Sequence, residues 1–320
     1  MSRRGRALTA LGVFVLGLVL LEMTARVVVA SADPADVVWY DASTQLRVEM
    51  LDELESVDVV FAGTSSAWQG LVPDLFVAHG AAESAFNAGL AGGVPAVTSP
   101  WLLDEVVPRT DPDVVVWGLT SLDFSAAYGH TNEEAYDEAF ETRHGWLADL
   151  DRALSEVSEL VRSRRLLRNP SMLWGQAQDD IRAELSEAAS ITGAHGERLD
   201  FTEDVSPERA AIMQARVRDY EVDQHDVDLV GETVRALQAQ GRTVVFVEIP
   251  FPERFVRLHP NGAADIDEAA DTIDAIAAEH GITVVRSTET FTDDDFVDFS
   301  HLSAEAAARF SADIARQLHP

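Results

Sequence analysis

Five short runs of mostly apolar, often β-branched residues, separated by stretches with helical spacing, constrain this chain more than any other feature. They are residues 57–63, 84–87, 113–118, 243–247 and 282–285. The first, Val57-Asp58-Val59-Val60-Phe61-Ala62-Gly63, does not alternate polar with apolar residues as a half-exposed strand does. A run of this kind reads as a strand covered on both faces, which is the situation in a parallel sheet. Helical segments are expected at about 96–106, 227–240, 264–280 and 304–318, with a short turn of helix opening near Pro73. Gly241 and Gly281 stand where helices commonly end, and Ser303 where an N-cap is expected. Strands alternating with helices give an α/β fold with a doubly wound, five-stranded parallel sheet.

The N-terminus is a separate matter. Arg3, Arg4 and Arg6 precede an apolar run, and residues 7–25 carry a single charge, Glu22. That is close to the length needed to cross a bilayer. Ala30-Ser31-Ala32 resembles a leader cleavage site, but it lies well beyond Leu21, with Glu22 and Arg26 in between. The run therefore reads as an uncleaved transmembrane helix in preference to a cleaved leader. Glu22 and Arg26 are spaced to pair on one helix face. The arginines at the start place that end in the cytoplasm and the rest of the chain outside, as a single-pass protein of the cell membrane. Residues 1–32 are then head and anchor. Residues 33–56 are a linker and a helix carrying Leu46, Met50, Leu51 and Leu54, and 57–320 form the main domain.

From about 125 to 225 the pattern changes to charged, helix-forming sequence. Leu147, Leu150, Leu154, Val157 and Val161 step along one helix face, and residues 162–168 form a lone basic cluster. This region reads as a helical insertion over the crevice, a lid, or otherwise as a loose, solvated excursion.

Composition removes several function classes. The net charge is −31, from 55 acidic and 24 basic residues, and the basic residues are all arginine. Such a surface repels nucleic acid. No cysteine is present, so disulfides, thiolate metal sites and cysteine nucleophiles are out. The loop Gly89-Leu90-Ala91-Gly92-Gly93 lacks the lysine of a phosphate-binding loop. Asp293-Asp294-Asp295 reads as a solvated loop before it reads as a cation site. Neither a metal nor another cofactor is expected.

Ligands of open α/β sheets sit at the carboxyl ends of the strands. There, Gly63 turns the chain and Thr64, Ser65 and Ser66 follow, either as caps of the next segment or as a source of a nucleophilic hydroxyl. A serine hydroxyl needs a base. Asp298 stands three residues before His301, just ahead of the last helix. A carboxylate so placed can bond Nδ1–H of the imidazole and leave Nε2 free as a base.

These segments together resemble the SGNH (GDSL-like) hydrolase family. Gly63-Thr64-Ser65 is similar to its first block, Asn87-Ala88-Gly89-Leu90-Ala91-Gly92 to its second, and Asp298 with His301 to its last. The resemblance covers roughly residues 57–124 and 243–318. It implies a flavodoxin-like three-layer sandwich with Ser65 as nucleophile, Asp298 and His301 as its partners, and the amides of Ser65 and Gly92 as oxyanion donors. Two departures stand out. Thr64 replaces the usual aspartate, and the third block reads Gly118-Leu119-Thr120-Ser121 where asparagine is usual, leaving Thr120 or Ser121 as the substitute donor.

The anchor and the stretch 63–73 resemble the membrane-anchored branch of that family, which acts in the O-acetylation of alginate and peptidoglycan and in D-alanyl transfer to teichoic acid. The resemblance implies serine-dependent ester hydrolysis or O-acyl (acetyl) transfer outside the cytoplasm. A surface glycan or lipid ester would be the substrate, and a membrane protein the acyl donor in the transfer case. The competing expectation is a non-catalytic glycan-binding or scaffold protein on the same fold. The missing asparagine favours it, and the retained Ser65, Asp298 and His301 oppose it.

Overall fold

The computed structural model describes residues 3–31, 42–54, 56–129, 150, 153–155, 157–164, 167 and 176–319. Two compact units are present. One comprises Met1–Ala42 and Arg143–Ser186, the other Ser43–Thr142 and Glu187–Pro320.

The larger unit holds the sheet. Helix α2 (Ala42–Glu53) leads into β1 (Val59–Gly63), α3 (Ser65–Gly70), α4 (Pro73–Ala78) and β2 (Ala85–Asn87). Pro73 opens α4 as expected, since its missing N–H is no loss in a first turn. The helix expected at 96–106 runs further. It consists of α5 (Pro95–Pro100), a π turn (Trp101–Val106) and α6 (Val107–Thr110). In the wide turn the Val107 N–H reaches Leu102 O, just before Pro108, which has no N–H to offer. Strand β3 (Val114–Leu119) is followed by a 3₁₀ turn (Ser121–Phe124).

Beyond the insertion come α10 (Gln224–Ala239), β4 (Thr243–Glu248), a short α11 (Glu253–Val256) and α12 (Ala263–His280). Strand β5 (Thr283–Val285), a 3₁₀ turn (Asp293–Asp295) and α13 (Ala304–Leu318) complete the unit. Ser303 caps α13 by accepting from Ala306 N–H, as its position foretold.

All four strand pairings are parallel, in the order β2-β1-β3-β4-β5. Successive residues of a strand face opposite sides. Val59 and Phe61 join Val116, Val247, Phe310 and Ile314 in a buried core beneath α3, α4 and α13. Val60, Val115, Trp117 and Phe246, on the other face, are equally buried, as are Val234 of α10 and Ile273 of α12. The sheet is therefore the middle of three layers, which is why its strands carry no polar alternation.

Of the insertion, α7 (Glu159–Arg162), α8 (Gln176–Ile191) and α9 (Pro207–Val217) are described. The expected apolar stripe does not run along one helix. Ser158 leaves helical geometry and caps α7 instead, Leu150, Leu154 and Val157 are exposed, and Leu147 lies outside the described residues. Of the basic cluster, Arg162 pairs with Glu159, while Arg165 and Arg168 lie outside the described residues. In the smaller unit α1 (Arg3–Ser31) is a continuous apolar helix, long enough from Gly12 to Ser31 to cross a bilayer. Its Arg26 Nε lies 2.7 Å from Glu22 Oε1, the pairing their spacing implied.

Candidate active site

The turn at the end of β1 exists because residue 63 is glycine. Its φ is +129°, and a Cβ there would stand 2.3 Å from Gly118 O. An L side chain fits neither the dihedral nor the gap. Thr64 then leaves the strand and caps α3, its Oγ1 accepting from Ser66 N–H. Ser65 becomes the first helical residue, half-buried, while Ser66 is buried. The Ser65 N–H, in the helix's first turn, has no intrahelical acceptor.

Helix α3 is fastened from three sides. Asn87, at the end of β2, donates through Nδ2 to the carbonyls of Ala67, Trp68 and Leu71, and its Oδ1 accepts from Gly89 N–H. Gln69 donates to Leu302 O, tying α3 to the segment after His301. Trp68 Nε1 donates to Gly196 O, and the buried Arg47 guanidinium lies 3.9 Å over the Trp68 ring. Neither Arg47 nor Gly196 was singled out from the sequence. Gly196 comes from the insertion, where no periodicity announces a contact with α3.

Asp298 and His301 occupy a tight loop ahead of α13. Val297 N–H donates to His301 O, and Phe296 bridges Leu302. Arg254 stitches the loop from outside, donating to the carbonyls of Asp293, Phe296 and Asp298. Within it, Asp298 Oδ1 accepts from the N–H groups of Ser300 (2.8 Å) and His301 (2.9 Å). Oδ2 lies 2.8 Å from His301 Nδ1 and accepts from Arg209 Nη2 at 2.9 Å. On the far side of the ring, His301 Nε2 lies 2.8 Å from Ser65 Oγ.

The three side chains thus form one hydrogen-bonded chain, from residues 236 positions apart at its widest step. Burial pushes the Asp298 carboxyl up, but the His301 ring, the Ser300 amide and the Arg209 charge overcome this and hold it well below the usual carboxylate range. A carboxylate ionised throughout the neutral range fixes the imidazole with its proton on Nδ1. Nε2 is then the acceptor for the Ser65 hydroxyl.

The loop after β2 carries Gly92 in a left-handed conformation, φ +69°. Its N–H donates to no protein acceptor among the described residues. Thr120 departs from expectation. Its N–H and Oγ1 both donate to Asp123 Oδ2, at 2.8 and 2.6 Å, so it has no donor left for an oxyanion. Ser121 instead approaches His259, its Oγ 3.4 Å from Nε2. Asp123 is fully buried, and burial raises its carboxyl to about 7 against the Thr120 hydrogen bonds. Asp293 and Asp295, read as a solvated loop, are engaged by protein donors. Asp293 accepts from Arg254 N–H, and Asp295 pairs with Arg309 and caps the turn at Thr292. Among the described residues no cluster of side chains is suited to a metal ion.

No family model matches the chain, and no curated protein matches it significantly. Solved structures with a similar course of the chain include a proposed acylhydrolase from Bacteroides fragilis. It has 12% identity and a TM-score of 0.44, covering 87% of this chain and 96% of that one. A carbohydrate acetylesterase from Sinorhizobium meliloti has 13% identity and a TM-score of 0.37, covering 82% and 98%. An aryl esterase of M. smegmatis has 11% identity and a TM-score of 0.38, also covering 82% and 98%.

Proposed function

We propose that this protein is a serine-dependent ester hydrolase or O-acyltransferase. The observation that carries the reading is the continuous chain Ser65 Oγ–His301–Asp298, with 2.8 Å at both steps. As Ser65 Oγ bonds to an ester carbonyl carbon, its proton passes to His301 Nε2, and Asp298 stabilises the imidazolium. The carbonyl electron pair moves to oxygen, where the amides of Ser65 and Gly92 meet the negative charge. Collapse of the adduct breaks the bond to the alcohol oxygen, which leaves with the proton from His301. Water or a sugar hydroxyl then repeats the sequence on the acyl-serine and frees Ser65. Both outcomes use one site, so hydrolysis and transfer differ only in the acceptor.

We place the reaction outside the cytoplasm, on a surface glycan or lipid ester, with α1 as an uncleaved anchor. The support is the spanning length of α1 and the arginines Arg3, Arg4 and Arg6 at its start. Labelling by a fluorophosphonate probe tests the chemistry. The labelled peptide should contain Ser65, and Ser65→Ala should abolish both labelling and turnover of p-nitrophenyl acetate. A Ser65→Ala protein with undiminished turnover would move the catalytic role to another residue, and a parent protein with neither labelling nor turnover would put the non-catalytic reading in its place.

A further inference from the structure

Glu22 is an acidic residue inside the apolar helix α1, and its carboxylate is not bare. Oε1 accepts from the N–H of Glu159 at 2.9 Å, and Oε2 from Leu160 N–H at 3.2 Å and Ser158 Oγ at 2.8 Å. Arg26 reaches from Glu22 Oε1 to Val157 O, at 3.0 Å from the latter. The amides that open α7 are thus satisfied by a side chain of α1.

Depth follows from helix geometry. At about 1.5 Å per residue, the rise to Glu22 is roughly 22 Å counted from Ala7 and roughly 15 Å counted from Gly12, against about 30 Å of hydrocarbon. Glu22 therefore sits inside the hydrocarbon, between its midplane and its outer boundary. A carboxylate there is costly unless donors come with it, and here the protein brings them. The chain that brings them must reach the same depth.

That chain is dressed for lipid. Leu154 and Val157 are 43% and 69% exposed, beside an α1 whose Phe14, Leu18, Leu20 and Leu21 are exposed in turn around the helix. Among the described residues, the Glu159 carboxylate accepts from Arg162 and from the Ser163 hydroxyl. An apolar groove of about 340 Å³ runs between Leu18, Val19 and Met23 on one side and Val157 and Leu160 on the other. We infer that Leu154, Val157 and Leu160 form a second membrane contact, drawn into the outer leaflet by Glu22, with lipid acyl chains against these side chains and the groove.

The inference rests on α1 being a membrane anchor, and one experiment separates the two. The chain has no cysteine, so Phe14→Cys, Leu154→Cys, Val157→Cys and Val205→Cys can each carry one spin label. The full-length protein is reconstituted in phosphatidylcholine–phosphatidylglycerol vesicles, and collisions with oxygen, which favours lipid, are compared with those of a water-soluble nickel chelate. Labels at 14, 154 and 157 should favour oxygen, and the label at 205 nickel. In Glu22→Ala, the label at 157 should lose its oxygen preference while that at 14 keeps it. Labels at 154 and 157 that behave like 205, with 14 still in lipid, overturn the second contact and leave the anchor. A label at 14 that behaves like 205 overturns both. An unchanged label at 157 in Glu22→Ala overturns the role given to Glu22.

Discussion

Replacing Asp298 with asparagine changes one oxygen for an NH₂ and leaves the side chain's shape alone, so its effect isolates the hydrogen-bond pattern. All four bonds at this carboxylate are received. Two amide N–H groups point at Oδ1, and His301 Nδ1 and Arg209 Nη2 at Oδ2. Asparagine has one acceptor oxygen. If its NH₂ takes the Oδ1 place, two backbone donors lose their acceptor, at about 1–3 kcal/mol for each buried group left unpaired. If it takes the Oδ2 place, it donates to Nδ1, and the ring proton moves to Nε2. That proton then points at Ser65 Oγ, 2.8 Å away, and the base is gone. The second placement keeps both amides bonded and should prevail. The expected loss is about 10⁴ in kcat, the size seen when a triad is locked in the wrong tautomer, or about 5.5 kcal/mol of barrier. KM should change little, because the carboxylate faces the ring and not the substrate. The assay is p-nitrophenyl ester turnover by the detergent-solubilised full-length protein, with near-ultraviolet circular dichroism to establish that the fold persists. A folded Asp298→Asn protein within tenfold of the parent would refute the assignment of Asp298.

Other outcomes follow from neighbouring groups. Asp123, with a folded value of about 7 against about 3.9 unfolded, binds its proton more tightly when folded. Stability should therefore fall as pH rises from about 4 to 7, by up to about 4 kcal/mol. Urea melts of Asp123→Asn should lack that fall, and an equally steep fall in the variant would reject the cause. Asp298 has the opposite sign: its depressed value adds stability above the unfolded carboxyl range, which is lost as pH drops below it. Acid melts of Asp298→Asn should accordingly show a shallower loss. Gly63→Ala forces a Cβ against Gly118 O and Ala67 Cβ, at 2.3 and 2.9 Å, and should cost at least about 3 kcal/mol; a thermal melt unchanged from the parent would contradict the steric argument. Ser66→Ala should keep most p-nitrophenyl ester turnover, because Ser66 is buried and the hydroxyl at His301 Nε2 is that of Ser65.

The sheet was legible because its signal is local. The strands are short, mostly apolar runs, and Gly241, Gly281 and Ser303 mark helix ends where they were expected. The Asp298–His301 relation was legible for the same reason, since three residues of one loop settle it. What escaped notice was long-range. The Arg209–Asp298 pair spans 89 positions and the Trp68–Gly196 bond 128, and both draw on the insertion. An arginine in the first turn of a charged helix looks like a solvated face until the fold sets a carboxylate before it. The stripe from Leu147 to Val161 misled because apolar spacing says nothing of what caps a chain, and Ser158 is committed to α7 and Glu22.

Thr120 bears most directly on the chemistry. The sequence offered it as a stand-in for a missing asparagine, yet its N–H and hydroxyl are both consumed by Asp123. The Thr120–Asp123 pair is a capping box, a stable local arrangement that shapes the 3₁₀ turn after β3. A side chain locked in this way cannot also follow a developing oxyanion. In the proposed reaction the negative charge is left to the amides of Ser65 and Gly92, and where one of several donors has been removed from such a hole the loss is about 10²–10³ in rate. A site with only two such amides would gain most from an ester whose carbonyl is already polarised, and from a leaving alcohol that needs little push. Acetyl groups on sugar hydroxyls are more demanding than aryl acetates. The ratio of turnover on p-nitrophenyl acetate to that on an acetylated sugar should therefore be high, and a ratio near unity would mean that a third donor reaches the oxyanion from elsewhere in the site.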